Sequence, residues 1–238
     1  MAADLESLGM RAGLIVSCQA DPGSPLRSPS IMAAMARAAE MAGAVGIRAN
    51  GAQDIAAIKA EVRLPVIGIN KIRRPDQHPR VYITPSFEAA EEVARLGCEI
   101  LALHVLPQYD RDVPALKARM IRIKDELDVL LMADIATVED ARFAVDHGAD
   151  IVATTSYRYA YVDEKVPGPP IGLVSELART VKVPIIAEGS VKTPADCVEV
   201  LRAGAFAVVV GTAITAPDKI AAEFVAALSQ AGGIPRTP

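Results

Sequence analysis

The chain has 238 residues, of which 51% are hydrophobic and 23% are charged, and its formal net charge is -4. This length suits one α/β barrel of roughly 250 residues. The negative charge, with no basic face in the sequence, argues against nucleic acid and anionic membranes as partners. No signal-peptide pattern opens the chain, and no apolar stretch approaches the ~18 residues that span a bilayer.

Three cysteines, Cys18, Cys98 and Cys197, lie far apart in the sequence. An odd, unclustered set is typical of a reducing compartment and offers no zinc-ligand spacing. The sequence therefore predicts a cytoplasmic protein.

Eight short apolar segments alternate with helical patterns along the chain. Runs such as LPVIGI, ADIVATT and VPIIAEG are continuously apolar, as parallel strands buried on both faces are. The predicted strands are Gly13–Gln19, Ala44–Asn50, Pro65–Lys71, Ile100–Val105, Val129–Ile135, Asp150–Ser156, Pro184–Ser190 and Ala207–Ile214.

The segments between these strands read as amphipathic helices, among them Ser86–Leu96 and Thr137–His147. Ser86, Thr137 and Thr193 are typical helix N-caps. Eight strand-helix units leave a closed barrel and a doubly wound sheet as alternatives. Because no G-x-G-x-x-G follows the first strand and no linker divides the chain, we expect a single (β/α)₈ TIM-barrel domain over residues 1–238.

In a barrel, the loops after the strands gather at the C-terminal face, where barrel enzymes hold their active sites. Loops rich in proline and glycine are predicted at Asp21–Pro29, Arg74–Pro79 and Val166–Pro170. Polar side chains recur at the predicted strand ends, namely Ser17, Gln19, Arg48, Asn50, Lys71, His104, Asp134, Thr154, Thr155, Glu188 and Thr212.

Lys71 and Glu188 stand out because both would be partly dehydrated. A lysine in a dry barrel mouth has a lowered pKa and can act as a general base or form a Schiff base, whereas a solvated loop lysine does neither. Glu188 is either functional or held in a structural salt bridge. Arg48 and Asp134 could bind substrate or pair with each other, and His104 could be a core histidine.

Glycine-containing turns follow the last two predicted strands, as Glu188-Gly189-Ser190 and Gly211-Thr212-Ala213. Barrels often bind phosphate at this place through backbone amides and a helix N-terminus. Turns also need glycine for their own geometry, so a purely structural role for these glycines is the alternative.

Seven segments, taken in order, resemble the N-acetylmannosamine-6-phosphate 2-epimerase family. They are GLIVSCQA, IMAAMARAAEMAGAVGIRANG, LPVIGINK, VYITPS, LLMADI, VPIIAEG and FAVVVGTAIT, and GIRANG and MADI are the most specific parts. The resemblance implies interconversion of N-acetylmannosamine 6-phosphate and N-acetylglucosamine 6-phosphate in sialic-acid catabolism. The reaction would be a cofactor-free deprotonation and reprotonation at C2.

The resemblance also implies roles for single residues. Lys71 matches the lysine that removes and returns the C2 proton, and Glu188 matches the glutamate that assists it. The positions that match substrate contacts are Gln19, Arg48, Asn50 and Asp134. Neither a metal nor an organic cofactor is implied.

Three departures from the family pattern concern the groups that hold substrate. His104 stands where the family usually has aspartate, and Ser190 and Ala216 stand where it usually has arginines near the phosphate. The loop that begins at Thr154 also differs from the usual TTLSGYT. An unphosphorylated sugar is therefore an alternative substrate.

We expect Arg158 or Lys192 to replace the lost positive charge. The predicted substrate contacts then include His104, Thr154 and Arg158 as well as the four above. The predicted phosphate site consists of Gly189, Ser190, Lys192, Gly211 and Thr212.

Other functions also fit a barrel with one strand-end lysine. A ribulose-phosphate-type epimerase holds a metal with histidines and carboxylates, but of the three histidines only His104 is at a predicted strand end. A Schiff-base aldolase or thiazole-synthase-like enzyme also needs one lysine. A non-catalytic sugar-phosphate sensor needs neither Lys71 nor Glu188. A homodimer is a further expectation, since barrels of this type often pair.

Overall fold

Eight parallel strands close into a barrel in the computed structural model, which describes residues 5–73, 81–110, 112–160 and 168–230. Each strand pairs with its neighbours in sequence, and the last pairs with the first. The strands are β1 (Gly13–Cys18), β2 (Gly46–Asn50), β3 (Val66–Ile69), β4 (Ile100–His104), β5 (Leu130–Asp134), β6 (Ile151–Ala153), β7 (Ile185–Glu188) and β8 (Ala207–Val210). The expected (β/α)₈ barrel is confirmed.

Helices follow the strands on the outside of the barrel. They are α1 (Pro29–Met41), α2 (Ala52–Glu61), α3 (Phe87–Ala94), α4 (Val113–Glu126), α5 (Val138–Asp146), α6 (Ile171–Thr180), α7 (Pro194–Arg202), α8 (Thr212–Thr215) and α9 (Pro217–Gln230). The predicted caps are confirmed, because the side chains of Ser86, Thr137 and Thr193 each accept a backbone N–H three residues further on.

The core has two layers, because successive strand residues face opposite sides of the sheet. In β3, for example, Ile67 and Ile69 belong to the cluster that fills the barrel, whereas Val66 packs with the helices. Both layers are built from aliphatic side chains, which explains why the strand sequences are continuously apolar.

Seven of the eight predicted strands end one to four residues earlier than expected, and three of these differences affect site residues. Thr154–Ser156 lie in a 3₁₀ helix, Thr154–Ala160, and not in β6. The last strand stops at Val210, because the backbone of Gly211 leaves the extended region and α8 follows. Lys71 lies beyond β3, in an antiparallel hairpin in which Lys71–Arg73 pairs with Val81–Ile83.

Parts of two predicted loops lie outside the described residues, namely all of Arg74–Pro79 and the first two positions of Val166–Pro170. Among the described helices, none is both long and apolar enough to cross a membrane.

Candidate active site

A pocket with a volume of about 970 Å³ opens at the C-terminal ends of the barrel strands. Pockets for small molecules commonly have volumes of about 300–1,000 Å³. Its walls contain most of the residues that the sequence singled out, namely Gln19, Asn50, Lys71, Arg158, Glu188, Gly189, Ser190, Lys192, Gly211 and Thr212. The structure therefore brings the predicted base, its acidic partner and the two glycine turns to one cavity.

Arg48 joins two carboxylates at the edge of this pocket. Its Nη1 donates to Oδ1 of Asp134 at 3.0 Å and to Oε2 of Glu188 at 2.8 Å, and its Nη2 donates to Oδ2 of Asp134 at 2.6 Å. The side chains of Arg48 and Asp134 are 1% and 0% exposed, and that of Glu188 is 17% exposed. Arg48 and Asp134 do pair with each other, and Glu188 alone of the three reaches the pocket wall.

Two adjacent threonines hold Glu188 in place. The buried Thr154 hydroxyl donates to the Glu188 carbonyl at 2.8 Å and accepts its N–H at 2.9 Å. The Thr155 hydroxyl lies 2.6 Å from Asp134 Oδ1 and 2.9 Å from Glu188 Oε2. Because it has a single proton, it donates a hydrogen bond to one of these two carboxylates at a time. Thr154 was expected to contact substrate, but its hydroxyl instead holds the backbone of Glu188. Thr155, and not Thr154, lines the pocket.

Lys71 enters the pocket from the first residue of the hairpin. Its backbone N–H donates to Asn50 Oδ1 at 2.8 Å, which ties it to the end of β2. Burial lowers the pKa of the Lys71 amine and the positive charge of Arg48 lowers it further, against the opposing effect of Glu188 and the other nearby carboxylates. The amine is therefore easier to deprotonate than an ordinary lysine.

Burial also raises the pKa of Glu188, and the negative charge of Asp134 adds to this effect while Arg48 opposes it. A carboxyl group in this state can carry a proton nearer to neutral pH than an exposed glutamate can. The pocket thus holds an amine and a carboxyl group whose pKa values are shifted toward each other, as expected for groups that exchange protons.

His104 lies beside the pocket and not in its wall. It is 4% exposed, and its Nδ1 accepts the N–H of Ile83 at 3.4 Å. The rings of Tyr82 and Tyr159 contact it edge-on. Burial lowers the pKa of His104 to about 4, so the ring is neutral at physiological pH. This position fits the core-histidine alternative better than the expected substrate contact.

The turns after β7 and β8 present free backbone amides. Gly189 and Ser190 both have a positive φ, of 102° and 56°, which is unusual for a serine. The N–H groups of Gly189, Ser190, Gly211 and Thr212 donate no hydrogen bond within the described part of the chain. They are available to an anion, as in other backbone anion sites.

The N-terminus of α7 is not available in this way. The backbone N–H groups of Lys192 and Thr193 both donate to Asp196 Oδ2, at 2.9 Å each, in a capping box. The Lys192 amine lies 3.6 Å from a carboxylate oxygen of Glu223 at the pocket rim, and both side chains are mostly exposed.

The pocket rim carries a charge cluster that the sequence did not reveal. Asp21 accepts from Arg73 Nη2 at 2.7 Å and from Lys219 Nζ at 2.6 Å, and these contacts link the loop after β1, the hairpin and α9. Arg27 also lines the pocket. No motif marks these residues, because they come from the loop after β1, an unpredicted hairpin and α9.

Within residues 5–73, 81–110, 112–160 and 168–230, no three His, Cys, Asp or Glu side chains are grouped so that they could hold a metal ion. His104, the histidine at a strand end, is engaged by backbone and aromatic rings.

Residues 32–230 match a family model described as "Putative N-acetylmannosamine-6-phosphate epimerase". Two relatives named as "Putative N-acetylmannosamine-6-phosphate 2-epimerase" are similar over most of their length. The protein of Caldanaerobacter subterraneus is 48% identical over 90% of both chains. That of Cutibacterium acnes is 41% identical over 92% of this chain and 95% of its own.

Among solved structures, the N-acetylmannosamine-6-phosphate 2-epimerase from Clostridium perfringens superposes with a TM-score of 0.83 and 36% identity. The superposition covers 96% of this chain and 99% of the clostridial one. A thiamine phosphate pyrophosphorylase from Pyrococcus furiosus, at 16% identity and a TM-score of 0.57, shares the fold alone.

Proposed function

Because the chain belongs to the N-acetylmannosamine-6-phosphate epimerase family, we propose that it interconverts N-acetylmannosamine 6-phosphate and N-acetylglucosamine 6-phosphate. The protein is an isomerase, a 2-epimerase of amino-sugar metabolism. The observation that supports this function best is the meeting of Lys71 and Glu188 in one polar pocket, beside a buried arginine.

The reaction breaks the C2–H bond of the open-chain sugar. The neutral Lys71 amine takes the proton, and the electron pair of that bond forms a C1=C2 double bond while O1 becomes anionic. The planar enediolate then turns about its C2–C3 bond, so that its opposite face meets Lys71. The amine returns the proton to C2 on that face, the electron pair of the C1=C2 bond forms the new C–H bond, and the charge on O1 re-forms the aldehyde carbonyl. Such proton transfers by a positioned side chain typically contribute about 10²–10⁴-fold in rate.

Glu188 is suited to move the proton on the oxygen side of this reaction. Its raised pKa lets it donate a proton to the ring oxygen or to O1 and recover it later. Arg48 keeps the carboxyl group oriented and supplies positive charge next to the site where O1 becomes anionic. Asp134 fixes Arg48 through both of its oxygens.

Gln19 and Asn50 have groups free to orient the sugar. The Gln19 amide donates to Ser17 Oγ at 2.7 Å, which leaves its buried Oε1 with no partner among the described residues. The Asn50 oxygen is used by the Lys71 backbone, so its amide N–H groups can face the substrate. An acceptor just after β1 and a donor at the end of the neighbouring β2 fit the hydroxyl and acetamido groups of an amino sugar.

The 6-phosphate would bind to the amides of Gly189, Ser190, Gly211 and Thr212. Positive charge near them comes from side chains that line the same pocket, among which Arg158 and Lys192 are the expected replacements for the family's arginines. Charge-assisted hydrogen bonds to phosphate are typically worth about 1.5–3 kcal/mol each.

A homodimer is proposed from the last helix. In the described chain no α9 residue is buried, and Phe224, Val225 and Leu228 are 68%, 57% and 52% exposed. An apolar face of this kind normally marks an interaction site, and a second copy is the partner that we propose. We also propose a cytoplasmic location, because Cys18, Cys98 and Cys197 are all free thiols.

The function is tested by incubating the protein in D₂O with 2-acetamido sugars, with and without a 6-phosphate, and following C2 by NMR. Deuterium uptake at C2 of the two 6-phosphates, with their interconversion, is the expected result. Borohydride added with substrate should leave the mass of the protein unchanged. A borohydride-stable adduct on Lys71 without deuterium uptake would favour the Schiff-base alternative.

A further inference from the structure

The segment VYITPS, one of the seven that carry the family resemblance, contains a residue in an unusual conformation. Thr84 is 0% exposed and has a φ of 48°, in the left-handed region. A β-branched residue rarely adopts this conformation, and a residue before proline, here Pro85, normally has an extended backbone. Strain of this kind persists where surrounding contacts enforce it, and it is concentrated at functional sites.

The contacts that enforce the strain all concern the start of the hairpin. The Thr84 N–H donates to the Asn70 carbonyl at 2.7 Å, and the Asn70 N–H donates to Thr84 Oγ1 at 3.2 Å. The Thr84 hydroxyl in turn donates to the Ala102 carbonyl in β4 at 2.6 Å. One hydroxyl therefore accepts from the residue directly before Lys71 and donates to the barrel wall.

The hairpin is short, and its other ties run to the end of β2 through the Lys71 N–H and to the loop after β1 through Arg73. Its ladder consists of three pairs, Lys71↔Ile83, Ile72↔Tyr82 and Arg73↔Val81. The Ile72 side chain is 41% exposed. An isolated two-stranded hairpin is marginally stable in water at best. The second tie to β4 is the long contact from Ile83 N–H, in the residue paired with Lys71, to His104.

We propose that Thr84 is a positioning residue, whose hydroxyl anchors the hairpin to β4 and so fixes the direction in which Lys71 enters the pocket. The inference rests on the proposed role of Lys71 as the base. A general base must lie within hydrogen-bond reach of the proton that it removes, and a displacement of about 1 Å can cost ~10²-fold in rate.

Three substitutions separate the hydroxyl from the backbone conformation. Thr84→Ser keeps the hydroxyl, Thr84→Val keeps the shape without it, and Thr84→Gly tolerates the positive φ without it, in case the valine variant folds poorly. Ile58→Val, in the fully buried part of α2, is the control for a destabilised core at a distance from the hairpin.

Steady-state kinetics give the first result. We expect Thr84→Val and Thr84→Gly to lower kcat about 10–100-fold with KM changed less than about 3-fold, because the substrate contacts stay in place. Thr84→Ser should restore kcat to within about 3-fold of the parent value, as Ile58→Val should. Equal kcat in the folded valine or glycine variant and the parent would overturn the proposal.

The pKa of Lys71 gives a second result without substrate. Competitive acetylation at several pH values, followed at Lys71 by mass spectrometry, measures the pKa of this amine, which rises as the amine becomes more hydrated. The charged groups that face it are Arg48, Glu188, Asp134 and Asp21. None of these is altered by Thr84→Gly, so a rise of the Lys71 pKa toward its ordinary value would show that the hairpin had moved.

Different results would refute the proposed epimerase function and the proposed anchoring role of Thr84. A parent protein without C2 exchange refutes the proposed function, while acetylation of Lys71 still tests the anchor. A Lys71 pKa that is the same in the parent, Thr84→Gly and Ile58→Val would refute the anchor even if the parent is a fully active epimerase.

Discussion

Arg48 and Asp134 face each other across the barrel mouth and form two parallel hydrogen bonds, of 3.0 Å and 2.6 Å, with both side chains almost fully buried. The same guanidinium donates to Glu188 at 2.8 Å. Arg48 and Asp134 therefore pair with each other, which the sequence offered as the alternative to substrate binding, and the pair also contacts the proposed catalytic carboxyl group of Glu188.

Breaking this pair should destabilise the fold. Asp134→Asn keeps the volume but leaves Arg48 with Glu188 as its remaining anionic partner. We expect the free energy of unfolding to fall by about 3 kcal/mol, at the lower end of the range for a broken buried pair. Denaturant titration measures this, and Asp125→Asn on α4 is the matched control. An unchanged unfolding midpoint would show that the pair contributes nothing to stability.

The pH profile should show the lowered pKa of Lys71. Since the neutral amine is the base, kcat/KM rises as pH increases through that pKa, and burial together with Arg48 places the rise below the ordinary lysine range. Lys182→Met, an exposed lysine before β7, should leave the profile unchanged. A profile that is flat from neutral pH up to the ordinary lysine range would contradict a lysine base with this pKa.

Activity should not depend on a metal ion. The described residues offer no group of ligands with the density that divalent metals require, and the proposed chemistry uses an amine and a carboxyl group. Assays before and after exhaustive treatment with a chelator should agree. Loss of activity that a divalent ion restores would refute this prediction.

The phosphate should be held by the free amides with help from a cation at the rim. Arg158→Ala or Lys192→Ala should raise KM for the phosphorylated sugar about tenfold or more, since a charge-assisted contact is worth about 1.5–3 kcal/mol. Lys182→Ala, at the opposite end of β7, is the control. If neither variant changes KM and the parent prefers the unphosphorylated sugar, the phosphate assignment is wrong.

The barrel could be predicted because its signals are local. Continuous apolar runs, N-caps and C-terminal glycines lie within a few residues of the elements that they define, and eight repeats leave few topologies. Lys71 and Glu188 were found in the same way, as charged groups at the ends of apolar runs. Both side chains line the same pocket, because the C-terminal ends of all the barrel strands lie on one face of the barrel.

The features of the site that could not be predicted depend on contacts between segments that are distant in the sequence. The hairpin that carries Lys71 is held by Thr84 through Ala102, and neither residue has a sequence signal for that role. His104 was predicted as a substrate contact or a core histidine, and only the structure shows that it is buried and accepts a hydrogen bond from Ile83. The cluster of Asp21, Arg73 and Lys219 joins the loop after β1, the hairpin and α9, which are far apart in the sequence.

Solvent deuterium exchange at C2 in Lys71 variants tests the central claim most directly. Lys71→Ala and the similarly long Lys71→Met should fold like the parent and exchange the C2 proton about 10²–10⁴-fold more slowly, because the general base is gone. Lys182→Ala should exchange at the parent rate. A Lys71 variant that keeps more than about a hundredth of the parent exchange rate would contradict the assignment of Lys71 as the base.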